Sequence, residues 1–140
     1  MSENYDPNNI FAKILRGEMP CVRVFEDDVS LAFMDIMPRT LGHTLVLPKT
    51  PARNLLDIEP DALARFMPAV QLIAIAAKRA LSADGISLMQ YSEAAGGQLV
   101  FHLHFHILPR WAGVALNPPG GPMVAAAELE PTAAKIRAAL

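Results

Sequence analysis

The chain has 140 residues, 52% of them hydrophobic, and a formal charge of −2 with no basic run. That size fits one domain with a real core, and the mixed charge argues against a non-specific nucleic-acid groove. The single Cys21 excludes an internal disulfide and a cysteine metal knuckle, which suits a reducing compartment.

In chain order, Met1-Ser2-Glu3-Asn4-Tyr5-Asp6 carries neither the basic nor the apolar region of a signal peptide, so a cytoplasmic location is expected. Pro7-Asn8-Asn9 can cap a short helix through Ile10, Phe11, Ile14 and Leu15, with Gly17 as its stop and Pro20 barring continuation. Val22-Arg23-Val24-Phe25 alternates as a strand, Asp27-Asp28 turns, and Val29 to Phe33 forms the hairpin partner. Asp35-Ile36-Met37-Pro38-Arg39 leaves that strand; Gly42 opens the next, His43 to Leu47, which Pro48 closes.

From Pro60, the apolar set Leu63, Phe66, Met67, Val70, Ile73, Ala74, Ala77 and Leu81 keeps helical spacing and defines a long helix ended by Asp84-Gly85. Pro68 lies inside it and should kink or split it, at a cost of about 3 kcal/mol. The apolar stretch around Phe66 to Ala77 is interrupted by Pro68 and Gln71 and ends at Lys78-Arg79, too short and too polar to span a bilayer. No membrane partner is expected, and the apolar surplus is free to be buried in an oligomer.

Ile86 to Gln90 reads as a strand, Ser92 to Gly97 as a loop and Leu99 to Pro109 as a strand. Asn117-Pro118-Pro119-Gly120-Gly121-Pro122 excludes regular structure, and a short helix follows around Thr132 to Leu140. The order of elements predicts an α+β fold with one five-stranded antiparallel sheet, one long helix and two short ones. It forms a single domain over 1–140, with a core over about 8–112 and a C-terminal tail over 113–140.

The chemistry concentrates in Phe101-His102-Leu103-His104-Phe105-His106-Ile107-Leu108, where apolar and imidazole side chains alternate at period two. On a strand, His102, His104 and His106 share one face and Phe101, Leu103, Phe105 and Ile107 bury on the other. Alternate residues lie about 6.6 Å apart and the outer pair about 13 Å, so the histidines form a row. A collinear third histidine cannot converge on one tetrahedral zinc, whereas a row suits a polyphosphate or a nucleotide with its leaving group. Three of the four histidines in the chain fall on this face, a concentration that a solvated strand would not need.

The preceding Ala94-Ala95-Gly96-Gly97-Gln98 can turn backbone N–H groups inward as an anion nest; alone it would be an ordinary hairpin loop. No Walker-type P-loop exists, and no Gly-x-Ser-x-Gly elbow gives Ser82, Ser87 or Ser92 the context of a nucleophile. A histidine is the better nucleophile, since imidazole can attack phosphorus. His43 can hydrogen-bond a triad imidazole and fix its tautomer, and Asp35 is either a ribose acceptor or a turn residue.

Four segments in order resemble the histidine triad (HIT) family, in its Hint-like nucleotide-binding branch. They are Ile10-Phe11-Ala12-Lys13-Ile14-Leu15-Arg16-Gly17-Glu18-Met19-Pro20, Phe33-Met34-Asp35-Ile36-Met37-Pro38, Leu41-Gly42-His43-Thr44-Leu45-Val46-Leu47-Pro48-Lys49 and Gly97-Gln98-Leu99-Val100-Phe101-His102-Leu103-His104-Phe105-His106. The resemblance implies a two-fold homodimer of joined sheets and a site for a purine nucleoside monophosphate. It implies that His104 attacks the α-phosphorus and becomes nucleotidylated, water then releasing the nucleotide, while His102, His106 and His43 orient it, move protons and contact the phosphate. Asp35 would hold the ribose, with Ile10, Phe11, Ile14, Phe33 and Ile36 around the base, and Ser92, Gly97, Gln98, Leu99 and Val100 toward the phosphate side.

The family often has Asn at the place of Ser92 and Ser or Thr at that of Leu99. Its zinc-binding members carry Cys-x-x-Cys and a later His where this chain has Asn9, Ala12 and Pro51, so neither a structural zinc nor another cofactor is expected. The implied activity is that of a metal-independent nucleoside phosphoramidase. The alternatives are a dinucleoside polyphosphate hydrolase, a nucleotide-binding scaffold with weak turnover, and a metal-dependent hydrolase built on a His-x-His pair.

Overall fold

The computed structural model describes residues 4–140, and its elements follow the predicted order. Asn9 accepts the amide of Ala12 and starts helix α1 (Ile10–Leu15), which ends at Gly17 with φ +78°. Strands β1 (Arg23–Glu26), β2 (Ser30–Met34) and β3 (Thr44–Pro48) precede helix α2 (Pro60–Ala80). Strand β4 (Gly85–Met89), a short 3-10 turn at Ala94–Gly96, strand β5 (Phe105–Arg110) and helix α3 (Ala126–Ala138) complete the chain. The five strands form one antiparallel sheet in the order β1-β2-β3-β5-β4.

Cross-strand partners share a face, and the register therefore decides what the histidines see. Ala32, Val46 and Phe105 form one row. With Met34 and Ile107 they join the main core against Phe66, Val70 and Ile73 of α2 and Leu129 and Ile136 of α3. Phe33, Leu45 and His106 form the next row, on the face where Leu31, Leu47 and Phe11 of α1 make a smaller cluster. One face is thus sealed by α2 and α3; the other, under α1, carries His106.

The segment from Leu99 to Pro109 is not one strand. β5 begins only at Phe105, and the stretch before it is held by Gln98 and by a bond from the Leu103 amide to the Ala52 carbonyl, 2.8 Å. Leu103, Phe105 and Ile107 are buried as the alternation predicts. Phe101 is only half-buried, because the Arg53 guanidinium covers its ring at 4.2 Å, and Leu99 is 78% exposed. The histidines consequently leave a straight row, and His102 is fully buried.

Pro68 does not split α2, which runs unbroken for 21 residues. Phe66, Ala69, Val70 and Ile73 around it are buried, and that packing offsets the lost backbone bond. The helix is also long and apolar enough, by length and composition, to cross a bilayer, contrary to the expectation from its interrupted apolar stretch, and its buried side chains pack on the sheet. It stops before Asp84-Gly85: Ser82 adopts φ +51° and the Ala83 amide bonds the Lys78 carbonyl, a left-handed stop on a residue other than glycine. Helix α3 begins at Ala126, ahead of the expected Thr132, and buries Leu129, Ala133 and Ile136 against α2 and β1.

Candidate functional site

The site gathers where β3 and β5 pair on the α1 face. The His104 and His106 ring centroids are 5.0 Å apart and those of His43 and His106 5.2 Å. His43 and His104 each have one nitrogen facing a backbone group that can only donate or only accept, and this assigns the tautomers. The Arg39 amide donates to His43 Nδ1 at 3.0 Å, so His43 Nε2 carries the hydrogen and donates to His106 Nδ1 at 2.9 Å. His106 is left with its hydrogen on Nε2. His104 Nδ1–H donates to the His102 carbonyl at 2.6 Å, which leaves its Nε2 with a lone pair. A nucleophilic nitrogen and a donor N–H therefore stand on adjacent rings.

Burial keeps these rings neutral. It pushes His43 down to about 4, helped by Arg39 and His104, and His106 down to about 3, helped by His104 and His43. It pushes His102 down to about 4 against the opposing bond to Pro48, and it lowers His104 against the bond to the His102 carbonyl. Neutral imidazole is the form that can attack phosphorus.

Asp35, His43 and His106 bring ligand atoms within 4.8 Å of one another. His43 Nε2 and His106 Nδ1, however, are 2.9 Å apart and share a hydrogen, whereas two nitrogens on one tetrahedral ion sit about 3.3 Å apart. A resident ion does not fit without displacing that hydrogen bond. Asn9 caps α1, its side chain accepting the Ala12 amide.

The remaining predicted residues divide. Phe11 sets its ring edge-on to His104 at 4.8 Å and to Phe33 at 5.5 Å, and Ile14 and Val100 pack against the same cluster. Ile10 and Ile36 are exposed. Asp35 is a turn residue, its Oδ1 accepting the Met37 amide, and its Oδ2 lies 3.4 Å from His43 Nε2.

The glycine loop is a correction. The amides of Gly96, Gly97 and Gln98 bond the carbonyls of Glu93 and Ala94 and are spent inside the loop. Gln98 is buried, its amide oxygen accepting from Asn54 and Glu93 and its nitrogen donating to Arg53 and Val100, so it holds the loop. Ser92 exchanges hydrogen bonds with Gln90. The next amides, of Leu99 and Val100, have no hydrogen-bond partner among the described residues.

Three contributors escape a reading of the sequence. The Arg39 amide sets the tautomer of His43, and a backbone group leaves no mark in residue type. Tyr91 sets its ring edge-on to His106 at 5.5 Å and would meet a Cβ at Gly97. Tyr5 bonds His102 from 97 residues away, with no local signal to announce it.

The sequence profile of the HIT domain matches residues 16–113. Adenylylsulfatase HINT3 of Arabidopsis thaliana is 38% identical over 114 residues, covering 77% of this chain and 58% of that protein; the chain therefore spans less than two thirds of that relative. Adenosine 5'-monophosphoramidase hnt1 of Schizosaccharomyces pombe is 36% identical over 101 residues, 72% of this chain and 73% of that one. The crystal structure of a Hit-like protein involved in cell-cycle regulation, from Bartonella henselae, is 55% identical with a TM-score of 0.91, covering 97% of this chain and 99% of that one.

Proposed function

The chain belongs to the HIT domain family, and on that premise we propose that it is a nucleotidyl hydrolase. It releases a purine nucleoside monophosphate from phosphoramidate or acyl-phosphate substrates through a nucleotidyl-His104 intermediate. The observation that carries this reading is the 2.6 Å bond from His104 Nδ1–H to the His102 carbonyl, which leaves Nε2 as the free lone pair. Relatives named for adenylylsulfatase and monophosphoramidase activity support the substrate class.

In the first step His104 Nε2 forms a bond to the α-phosphorus and the bond to the leaving group breaks. The charge gained by the ring is met by the His102 carbonyl. His106 Nε2–H and the amides of Leu99 and Val100 hydrogen-bond phosphoryl oxygens, and a leaving amine takes its proton from solvent. In the second step water attacks phosphorus, the phosphorus–nitrogen bond breaks, His104 is restored and the water proton leaves. Asp35 Oδ2 holds the ribose, and Phe11, Phe33, Ile10, Ile14 and Ile36 border the base.

A cytoplasmic homodimer is part of the proposal. β4 is an edge strand whose Leu88 pairs with Ile107 and is 47% exposed, and α2 leaves Leu72 and Ile75 exposed. An apolar edge of this kind is normally covered by another chain.

The test is a substrate panel with and without a chelator. Release of AMP from an adenosine phosphoramidate, unchanged by chelator and faster than from a dinucleoside polyphosphate, is expected. Preference for the polyphosphate, or loss of activity with chelator, overturns the proposal.

A further inference from the structure

We propose that Tyr5 is a positioning residue for the nucleophile: its hydroxyl anchors the His102 ring in one tautomer, and with it the carbonyl that holds His104. The inference rests on the role proposed for His104.

The Tyr5 hydroxyl lies 2.5 Å from His102 Nδ1, the rings meeting edge-on at 5.6 Å. The other nitrogen, Nε2, faces the Pro48 carbonyl at 2.8 Å, and a carbonyl only accepts. Nε2 therefore carries the hydrogen, Nδ1 of the neutral ring is a lone pair, and the phenol donates to it. His102 is strung between the N-terminal segment and the end of β3.

That anchoring matters because of where His102 sits. It precedes β5, in a stretch outside the sheet ladder that is tied by the neighbouring Leu103 amide to Ala52. The peptide that offers the 2.6 Å acceptor to His104 is held on its amide side by that Leu103–Ala52 bond and on the other side by the His102 ring. Releasing one end of the ring loosens the acceptor on the nucleophile.

Tyr5 is itself held in place. The Asn4 carbonyl accepts from Arg53, and the Asp6 carbonyl accepts both the amide and the side-chain nitrogen of Asn9. The other ionisable groups acting on His102 are His104 and Asp57, and those acting on Tyr5 are Arg16 and Asp6.

The experiment is nitrogen-15 NMR of the imidazoles, with steady-state kinetics, in the wild type and in Tyr5→Phe, which keeps the ring and removes the donor. In the wild type, His102 is expected to carry its hydrogen on Nε2, with Nδ1 shifted by an accepted hydrogen bond. In Tyr5→Phe, that shift should be lost, the His104 Nδ1–H resonance should move upfield, and kcat should fall about tenfold with KM within about twofold. A wild-type His102 protonated on Nδ1 overturns the inference whatever the variant does. So does Tyr5→Phe with unchanged kcat or an unmoved His104 resonance. The tautomers are read without turnover, so an inactive wild type with the expected spectrum would count against the proposed hydrolase and not against the Tyr5 anchor.

Discussion

At the scale of single residues, the chemistry depends on which nitrogen of each imidazole carries hydrogen. His43 donates to His106 Nδ1 and so directs the hydrogen of His106 to Nε2. His43→Ala removes that constraint without touching His104, the proposed nucleophile, and kcat should fall about tenfold, far less than for loss of His104. A loss equal to that of His104→Ala would give His43 a direct chemical role. Leu99 poses a different question, since strict alternation would bury it with Phe101 and Phe105, yet it is 78% exposed. By the family resemblance Ser or Thr often stands at this place, and a general acid acting on a leaving group contributes about 10²–10⁴-fold. Leu99→Ser should raise kcat on alkyl phosphoramidates more than on substrates with an acidic phenol leaving group. Equal effects on both would show that the leaving group gets its proton without help from this position.

At the scale of elements, β5 divides its residues between core and site. Phe105 pairs with Val46 and meets Phe66 at 5.9 Å, while His106 pairs with Leu45 on the opposite face. Phe105→Ala should cost roughly 3–5 kcal/mol, read from a denaturant midpoint; a wild-type midpoint would mean the faces are inverted. This division was legible in the sequence because period two is a local signal. The same signal failed over 99–102, where Gln98, Arg53 and Ala52 hold the chain through contacts distant in sequence. His43 was legible as a partner because its strand brings it to β5, whereas the burial of His102 depends on Tyr5 and Pro48 and could not be inferred from its neighbours. Gly42 was read as a strand opener, and the structure adds the reason that it must be glycine. Its φ is +81° and a Cβ would lie 2.3 Å from the Leu81 side chain, at the end of α2.

At the scale of the whole molecule, burying neutral histidines makes stability depend on pH. His43 and His102 at about 4 and His106 at about 3 lie below the value of about 6.5 for an unfolded imidazole. Between those values unfolding takes up protons, so stability is complete above about 6.5 and falls as pH drops toward 4. Each histidine contributes at most about 1.4 kcal/mol per pH unit. The urea midpoint should fall clearly between pH 7 and pH 5, and a flat midpoint would mean these rings are not buried as neutral groups. The proposed mechanism has the fold present one imidazole lone pair to phosphorus, which predicts a covalent state. The most direct measurement mixes the protein with an adenosine phosphoramidate, quenches without acid, which would cleave a phosphohistidine, and reads the intact mass. One nucleotidyl group should be found on His104 and be absent from His104→Ala, whose turnover should drop roughly 10³-fold or more while AMP still binds. Wild-type turnover in His104→Ala, or an adduct on a different histidine, would contradict it.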